Sequence, residues 1–122
     1  MAFLGSSKVH FSFVYRNKTF IVEARECSLL RRGIGLMFRT RETDNLIFSF
    51  GKEAVYPFTG IFCFSPFLII WLDENNKTVD FKLAKPFEAR LLSRKPFKKV
   101  LELPLNRQNK KIIEYLVGKA NI

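Results

Sequence analysis

Apolar and polar residues alternate along several short stretches of the chain, and a period of two predicts strands, because successive side chains of a strand point to opposite faces. Val9, Phe11 and Phe13 fall on one side of the first stretch, with His10, Ser12 and Val14 on the other. The pattern resumes from Thr19 to Ala24, after Tyr15, Arg16, Asn17 and Lys18. Two strands joined by a polar turn are therefore expected. Leu46, Phe48 and Phe50 define a further strand, and Val100, Leu101 and Leu103 another within Lys98 to Leu103. The densest apolar segment lies between Gly60 and Phe81, where Ile61, Phe62, Phe64 and Phe67 to Leu72 precede a polar break, Asp73 to Lys77, and an apolar return at Val79 and Phe81. Asn tolerates the dihedrals of a tight turn, so this segment predicts buried strands paired through a hairpin.

Helical periodicity is sparser. Leu29, Leu30 and Ile34 within Cys27 to Leu36 suggest one or two helical turns that stop at Gly33 or Gly35. Near the end, Asn106 is placed to cap a helix through Leu116 whose apolar stripe is Ile112, Ile113, Leu116 and Val117, with Gly118 just past it. Ala84 to Pro96 carries two prolines, Pro86 and Pro96, with scattered charge, and reads as a surface connection. No repeat, low-complexity tract or linker interrupts the chain.

Composition narrows the class. The 122 residues fit one domain, 1–122, and 48% of them are apolar, fourteen being phenylalanine, so a packed core forms without staples. Cys27 and Cys63 form no CxxC pair and lack the histidine partners of a zinc site, which makes them expected core thiols. Met1 to Ser7 has no signal-peptide pattern. The longest apolar run, Ile61 to Leu72, is broken by Ser65 and Pro66 and falls short of the roughly 20 residues of a bilayer span. A cytoplasmic, non-membrane protein is the resulting expectation.

Charge adds the main functional hint. Twenty-one Lys and Arg against eleven Asp and Glu leave a formal +10. From Arg90 to Lys111, eight basic residues (Arg90, Arg94, Lys95, Lys98, Lys99, Arg107, Lys110, Lys111) face one acid, Glu102. Gathered on one face, they would concentrate anions and supply nonspecific nucleic-acid affinity through counterion release. The same excess also suits a merely solubilising surface.

Four blocks in order, Gly35-Leu36-Met37-Phe38-Arg39, Leu46 to Phe50, Ile69 to Asp73 and Val100-Leu101-Glu102-Leu103, resemble the small prokaryotic family known as domain of unknown function number one hundred and ninety-two. The resemblance spans about residues 20 to 118. It implies a compact, mostly β, barrel-like domain with short helices, and it supplies no reaction. Combined with the alternating stretches, the expected fold is mainly β (α+β), a small antiparallel barrel-like sheet with one or two short helices. The chain departs from the family pattern at Cys63, where a Met is common, at Leu68, where an Asp is common, and at Lys119, where an Asp commonly follows the glycine. Gly35, Met37, Arg39 and Asp73 carry over, Asp73 as turn chemistry rather than catalysis.

Candidate chemistry is limited. Arg31, Arg32, Arg39 and Arg41 surround Gly33 and Gly35, an arrangement suited to an oxyanion because guanidinium forks bind planar oxygens bidentately. The competing explanation is that Arg39 pairs with Glu42 or Asp44. The glycines do not follow P-loop or dinucleotide spacing. His10 is the sole histidine, so any triad or histidine metal site would rest on it, and its place in an alternating strand predicts a half-buried structural role. Asp73 and Glu74 are turn neighbours that do not converge as a glycosidase pair must. Phe58 to Phe64 is rich in aromatic residues and Phe97 to Lys99 sets one beside two lysines, as single-strand binders do, although core packing explains those phenylalanines better.

The reading that follows is a noncatalytic binding module for an anionic partner, either nucleic acid or a phosphorylated ligand. Its candidate residues are Arg31, Arg32, Arg39, Arg41, Arg90, Arg94, Lys95, Lys98 and Lys99. No catalytic residue, metal or cofactor is expected. The alternatives are a small-molecule pocket or weak enzyme using Arg39 on an acidic substrate, and a protein-protein module whose basic strip meets an acidic partner or a second copy.

Overall fold

The computed structural model describes residues 8–27, 44–54, 66–85 and 93–118. Six strands and one helix are formed among them: β1 (Lys8–Tyr15), β2 (Lys18–Cys27), β3 (Asn45–Ala54), β4 (Phe67–Leu72), β5 (Thr78–Ala84), β6 (Phe97–Pro104) and α1 (Lys110–Val117). Every alternating stretch within the described residues is a strand. The side chains of Phe50, Phe62 and Phe64, the helical turns expected after Cys27, and Cys63 lie outside the described structure. Cys27 itself closes β2.

β1 and β2 pair from Lys8↔Arg25 to Tyr15↔Lys18, leaving Arg16 and Asn17 as a two-residue loop. Both have positive φ, 51° and 63°. That is the loop geometry whose twist matches a right-handed hairpin. The β4–β5 connection is built by Asp73, whose Oδ1 accepts the backbone N–H groups of Asn75 and Lys77 at 2.8 and 2.9 Å, while Asn76 takes φ 63°. Asp73 is thus a turn residue, as its sequence context implied.

The strand order is β1-β2-β3-β6-β4-β5. Two features correct the antiparallel, barrel-like expectation. β2 and β3 run parallel, from Ala24↔Asn45 to Cys27↔Phe48, because residues 28–44 between them are long enough for the crossover that a parallel pair requires. The sheet is therefore mixed. Among the described residues its edges are joined by one isolated bridge, Val14↔Lys77, with a hydrogen bond from the Val14 N–H to the Asn76 carbonyl at 2.8 Å. It curls without closing into a barrel.

Curling divides the apolar side chains into two cores. Leu46, Phe48, Phe67, Ile69, Trp71, Phe97 and Val100 form one. Phe13, Val22, Ala24, Ile47, Leu68, Ile70, Leu72, Leu101 and Leu103 form the other, with Ile113 and Leu116 of α1 packed into it. Each fully buried large side chain contributes about 1.5–3 kcal/mol through area removed from water. The central strands are buried on both faces, which is why Phe67 to Leu72 reads as a continuous apolar run rather than an alternating one.

α1 begins later than its sequence suggested. Asn106 Oδ1 accepts the Asn109 N–H at 3.0 Å, so it closes a preliminary turn and not the helix. Asn109 occupies the N-cap position without a capping side-chain bond, because its carboxamide is turned into the core. There Nδ2 donates to Asn45 Oδ1 and to the Pro104 carbonyl, both at 2.8 Å, and Asn45 Nδ2 donates to the Glu23 carbonyl at 3.0 Å. This buried chain ties α1 to β2, β3 and β6. Gly118 ends the helix at φ 90°, where a Cβ is disfavoured, and its N–H bonds to the Glu114 carbonyl.

Replacing Asn109 by Ala takes the donor from the buried Asn45 Oδ1 and leaves the Pro104 carbonyl only its bond from the Asn106 N–H, so urea unfolding should show a loss of about 1–3 kcal/mol with an unchanged m-value. An unshifted midpoint would mean the carboxamide does not anchor the helix.

Candidate anion-binding surface

The basic window of the C-terminal third is split by the strand that runs through it. Lys98 and Lys99 are adjacent in β6 and therefore point to opposite faces of the sheet. Arg94 and Lys95 precede β6 while Arg107, Lys110 and Lys111 follow it, and eight extended residues separate the two groups by roughly 26 Å. Lys98 and Lys99 therefore do not share one face, and the flanking groups stand at opposite ends of β6.

Arg94 is committed to Asp80. Its Nε and Nη2 donate to the two carboxylate oxygens at 3.2 and 2.6 Å, and its backbone N–H donates to Oδ2 at 2.8 Å. The Phe81 N–H adds a fourth bond to Oδ1 at 2.9 Å. Asp80 is buried opposite Trp71 in the β4–β5 ladder, whereas the Arg94 side chain is 84% exposed. Burial pushes the Asp80 carboxyl up, and the Arg94 and Phe81 hydrogen bonds outweigh it, leaving the group below the ordinary carboxylate value. The same bonds raise the Arg94 guanidinium. Its fork is filled from within the protein.

Lys99 Nζ donates to Asn76 Oδ1 at 2.6 Å and sits 5.8 Å from the Phe11 ring centre, so it braces the seam where the sheet edges meet. Lys95 is exposed and Lys98 half-buried, and neither forms an ion pair among the described residues. Arg31, Arg32, Arg39, Arg41 and Arg90 lie outside the described residues. Asp44, considered above as a partner for Arg39, receives Arg25 Nη2 at 2.9 Å and Lys8 Nζ at 3.4 Å. Burial raises its pKa, while Arg25 and Lys8 lower it by more. His10 is exposed rather than half-buried, since β1 is an edge strand whose outer face meets solvent. Phe97 is wholly buried against Trp71, in keeping with core packing.

A different cluster stands at the β1–β2 loop. Tyr15, Phe20 and Tyr115 of α1 form a ring group, with Tyr115 set 6.0 Å from Tyr15 edge-on and 5.3 Å from Phe20. Lys18 Nζ lies over Tyr115 and Phe20, at 4.7 and 5.2 Å from the ring centres, and the Arg16 guanidinium lies 5.2 Å from the Tyr15 centre. Lys111 stands one helical turn before Tyr115, on the same side of α1. No carboxylate pairs with these three cations among the described residues. The sequence showed Arg16 and Lys18 only as turn residues. What makes them a cluster is a contact between positions nearly a hundred residues apart, which no local pattern encodes.

The fold is a mainly β, curled six-stranded mixed sheet packed around one short helix. With that architecture established, the chain belongs to the family DUF192, described as an uncharacterized ACR, whose model matches residues 16–115. No curated protein matches it. Among solved structures it is similar to a protein of unknown function from Novosphingobium aromaticivorans (TM-score 0.70, 20% identity, covering 80% of this chain and 73% of that one). It is also similar to a "putative transcription regulator" from Sinorhizobium meliloti (TM-score 0.68, 21% identity, covering 83% of this chain and 81% of that one). At these identities the likeness is one of fold. No helix among the described residues is long and apolar enough to cross a membrane.

Because the folded Asp80 pKa is depressed, its contribution to stability is complete above the unfolded value of about 4 and is lost as pH falls through the lower folded value. The stability difference between the wild-type protein and D80N should therefore be largest at neutral pH and shrink below about pH 4. A difference independent of pH in chemical denaturation would remove the charge from this account.

Proposed function

We propose that the protein is a noncatalytic, cytoplasmic binding module for an anionic partner, and that its contact surface centres on the β1–β2 loop and α1, which takes Lys111 from the basic C-terminal window. One observation carries this reading: Arg16 and Lys18 lie against an aromatic group, with Lys111 one helical turn before Tyr115, and none of the three has a carboxylate partner among the described residues, whereas Lys8, Arg25 and Arg94 are occupied by Asp44 and Asp80. A cation held over a ring gains only about 0.5–1 kcal/mol at an exposed site, so an incoming anion readily draws it away. The formal +10 adds long-range attraction. Lys95 and Lys98 remain available as secondary contacts. The description of the Sinorhizobium meliloti neighbour makes nucleic acid the first polyanion to try and bears on no individual residue.

Fluorescence anisotropy with labelled oligonucleotides across a salt series tests this reading. Affinity should fall as salt rises, and the triple variant R16A/K18A/K111A should flatten the log-log slope by roughly two to three, the share of three released phosphate contacts. Salt-indifferent binding, or an unaltered slope in the triple variant, would refute it.

A further inference from the structure

We infer that the partner met at this surface is a single-stranded nucleic acid, with a base stacked on Tyr115 and flanking phosphates taken by Arg16 and Lys18. The inference rests on the anion-binding reading above and adds the chemistry of the occupant. Tyr115 is 45% exposed and, with Ile21, is one of two exposed large hydrophobic side chains among the described residues. Its ring is held in one orientation by Tyr15 and Phe20. A half-exposed ring fixed from below is a stacking platform. Lys18 lies over this ring and Arg16 over the neighbouring Tyr15; once a phosphate draws Lys18 aside, π-face and positive charge alternate as base and phosphate do along a single strand.

The loop backbone points the same way. Arg16 has φ 51°, a region that residues other than glycine, asparagine and aspartate avoid. Glycine would satisfy this turn without strain, so the loop carries an arginine where the backbone does not favour one, and its side chain is what distinguishes it. An acidic peptide would need the cations but would leave Tyr115 without a role. A duplex presents its bases already stacked and paired, and α1 packs its apolar side into the sheet, which leaves no free helix among the described residues to enter a groove.

The decisive measurement compares three probes, a short single-stranded DNA of mixed sequence, the same sequence as a duplex, and heparin, against the wild-type protein, Y115F and Y115L. Leucine keeps aliphatic packing against Tyr15 and Phe20 but offers no π-face, and phenylalanine keeps the ring. Thermal melts confirm that each variant is folded. Y115L should weaken single-strand binding roughly five- to a hundred-fold, Y115F should leave it near wild type, and heparin affinity should be the same for all three. Tighter binding of duplex than of single strand, or equal single-strand affinity in Y115L and wild type, overturns the stacking inference while the anion-binding reading stands. Failure of the wild-type protein to bind any of the three probes at low salt overturns both.

Discussion

Strand β6 is the element on which the rest of the molecule depends. It pairs β3 through one edge and β4 through the other, with Leu46↔Glu102 and Ile69↔Glu102 meeting at the same residue. Without it, the β1-β2-β3 half and the β4-β5 half share no ladder, and only the Val14↔Lys77 bridge would connect them. Both cores also meet there, since Val100 belongs to one and Leu101 and Leu103 to the other. A strand so placed must satisfy two faces and two edges at once. This explains its run of buried residues from Val100 to Pro104.

That position also accounts for the fate of the charged window around it. Lysines adjacent in a central strand are sent to opposite faces, and each finds a local role or solvent. Lys99 braces the seam through Asn76, and Arg94, just before the strand, is taken up by the buried carboxylate of Asp80. A count of basic residues along a sequence measures density in one dimension. Side-chain direction alternates with every residue, so density in a strand is diluted across two surfaces.

Much of the fold was nonetheless legible. The alternation of Val9 to Val14, the turn at Arg16 and Asn17, the apolar run ending at Leu72 and the glycine after Val117 all mark real boundaries, because each reflects local geometry. Strand order and parallel pairing were not legible. Placing β6 between β3 and β4 is decided by burial of two cores, and sequence neighbours in a sheet are only usually, not always, spatial neighbours. Asn109 shows the same limit at the scale of one residue. The sequence places the cap at Asn106, yet Asn109 takes the N-cap position and turns its carboxamide to Asn45, 64 positions away.

The surface at the β1–β2 loop was hidden for the opposite reason: its components look ordinary where they stand. Arg16 and Lys18 read as turn polarity and Tyr115 as part of an amphipathic helix. Only the curl of the sheet brings the loop over α1, and that curl is enforced by Phe13, Val22, Leu101, Leu103, Ile113 and Leu116 closing a common core. The ring contacts of Tyr115 with Tyr15 and Phe20 lie at the margin of that core, so the packing that stabilises the fold also orients the exposed ring. The cations therefore stand on a rigid base although they project from a loop, and little side-chain freedom is left in the ring to be lost on binding. A binding surface of this kind arises from the tertiary structure and has no sequence motif of its own.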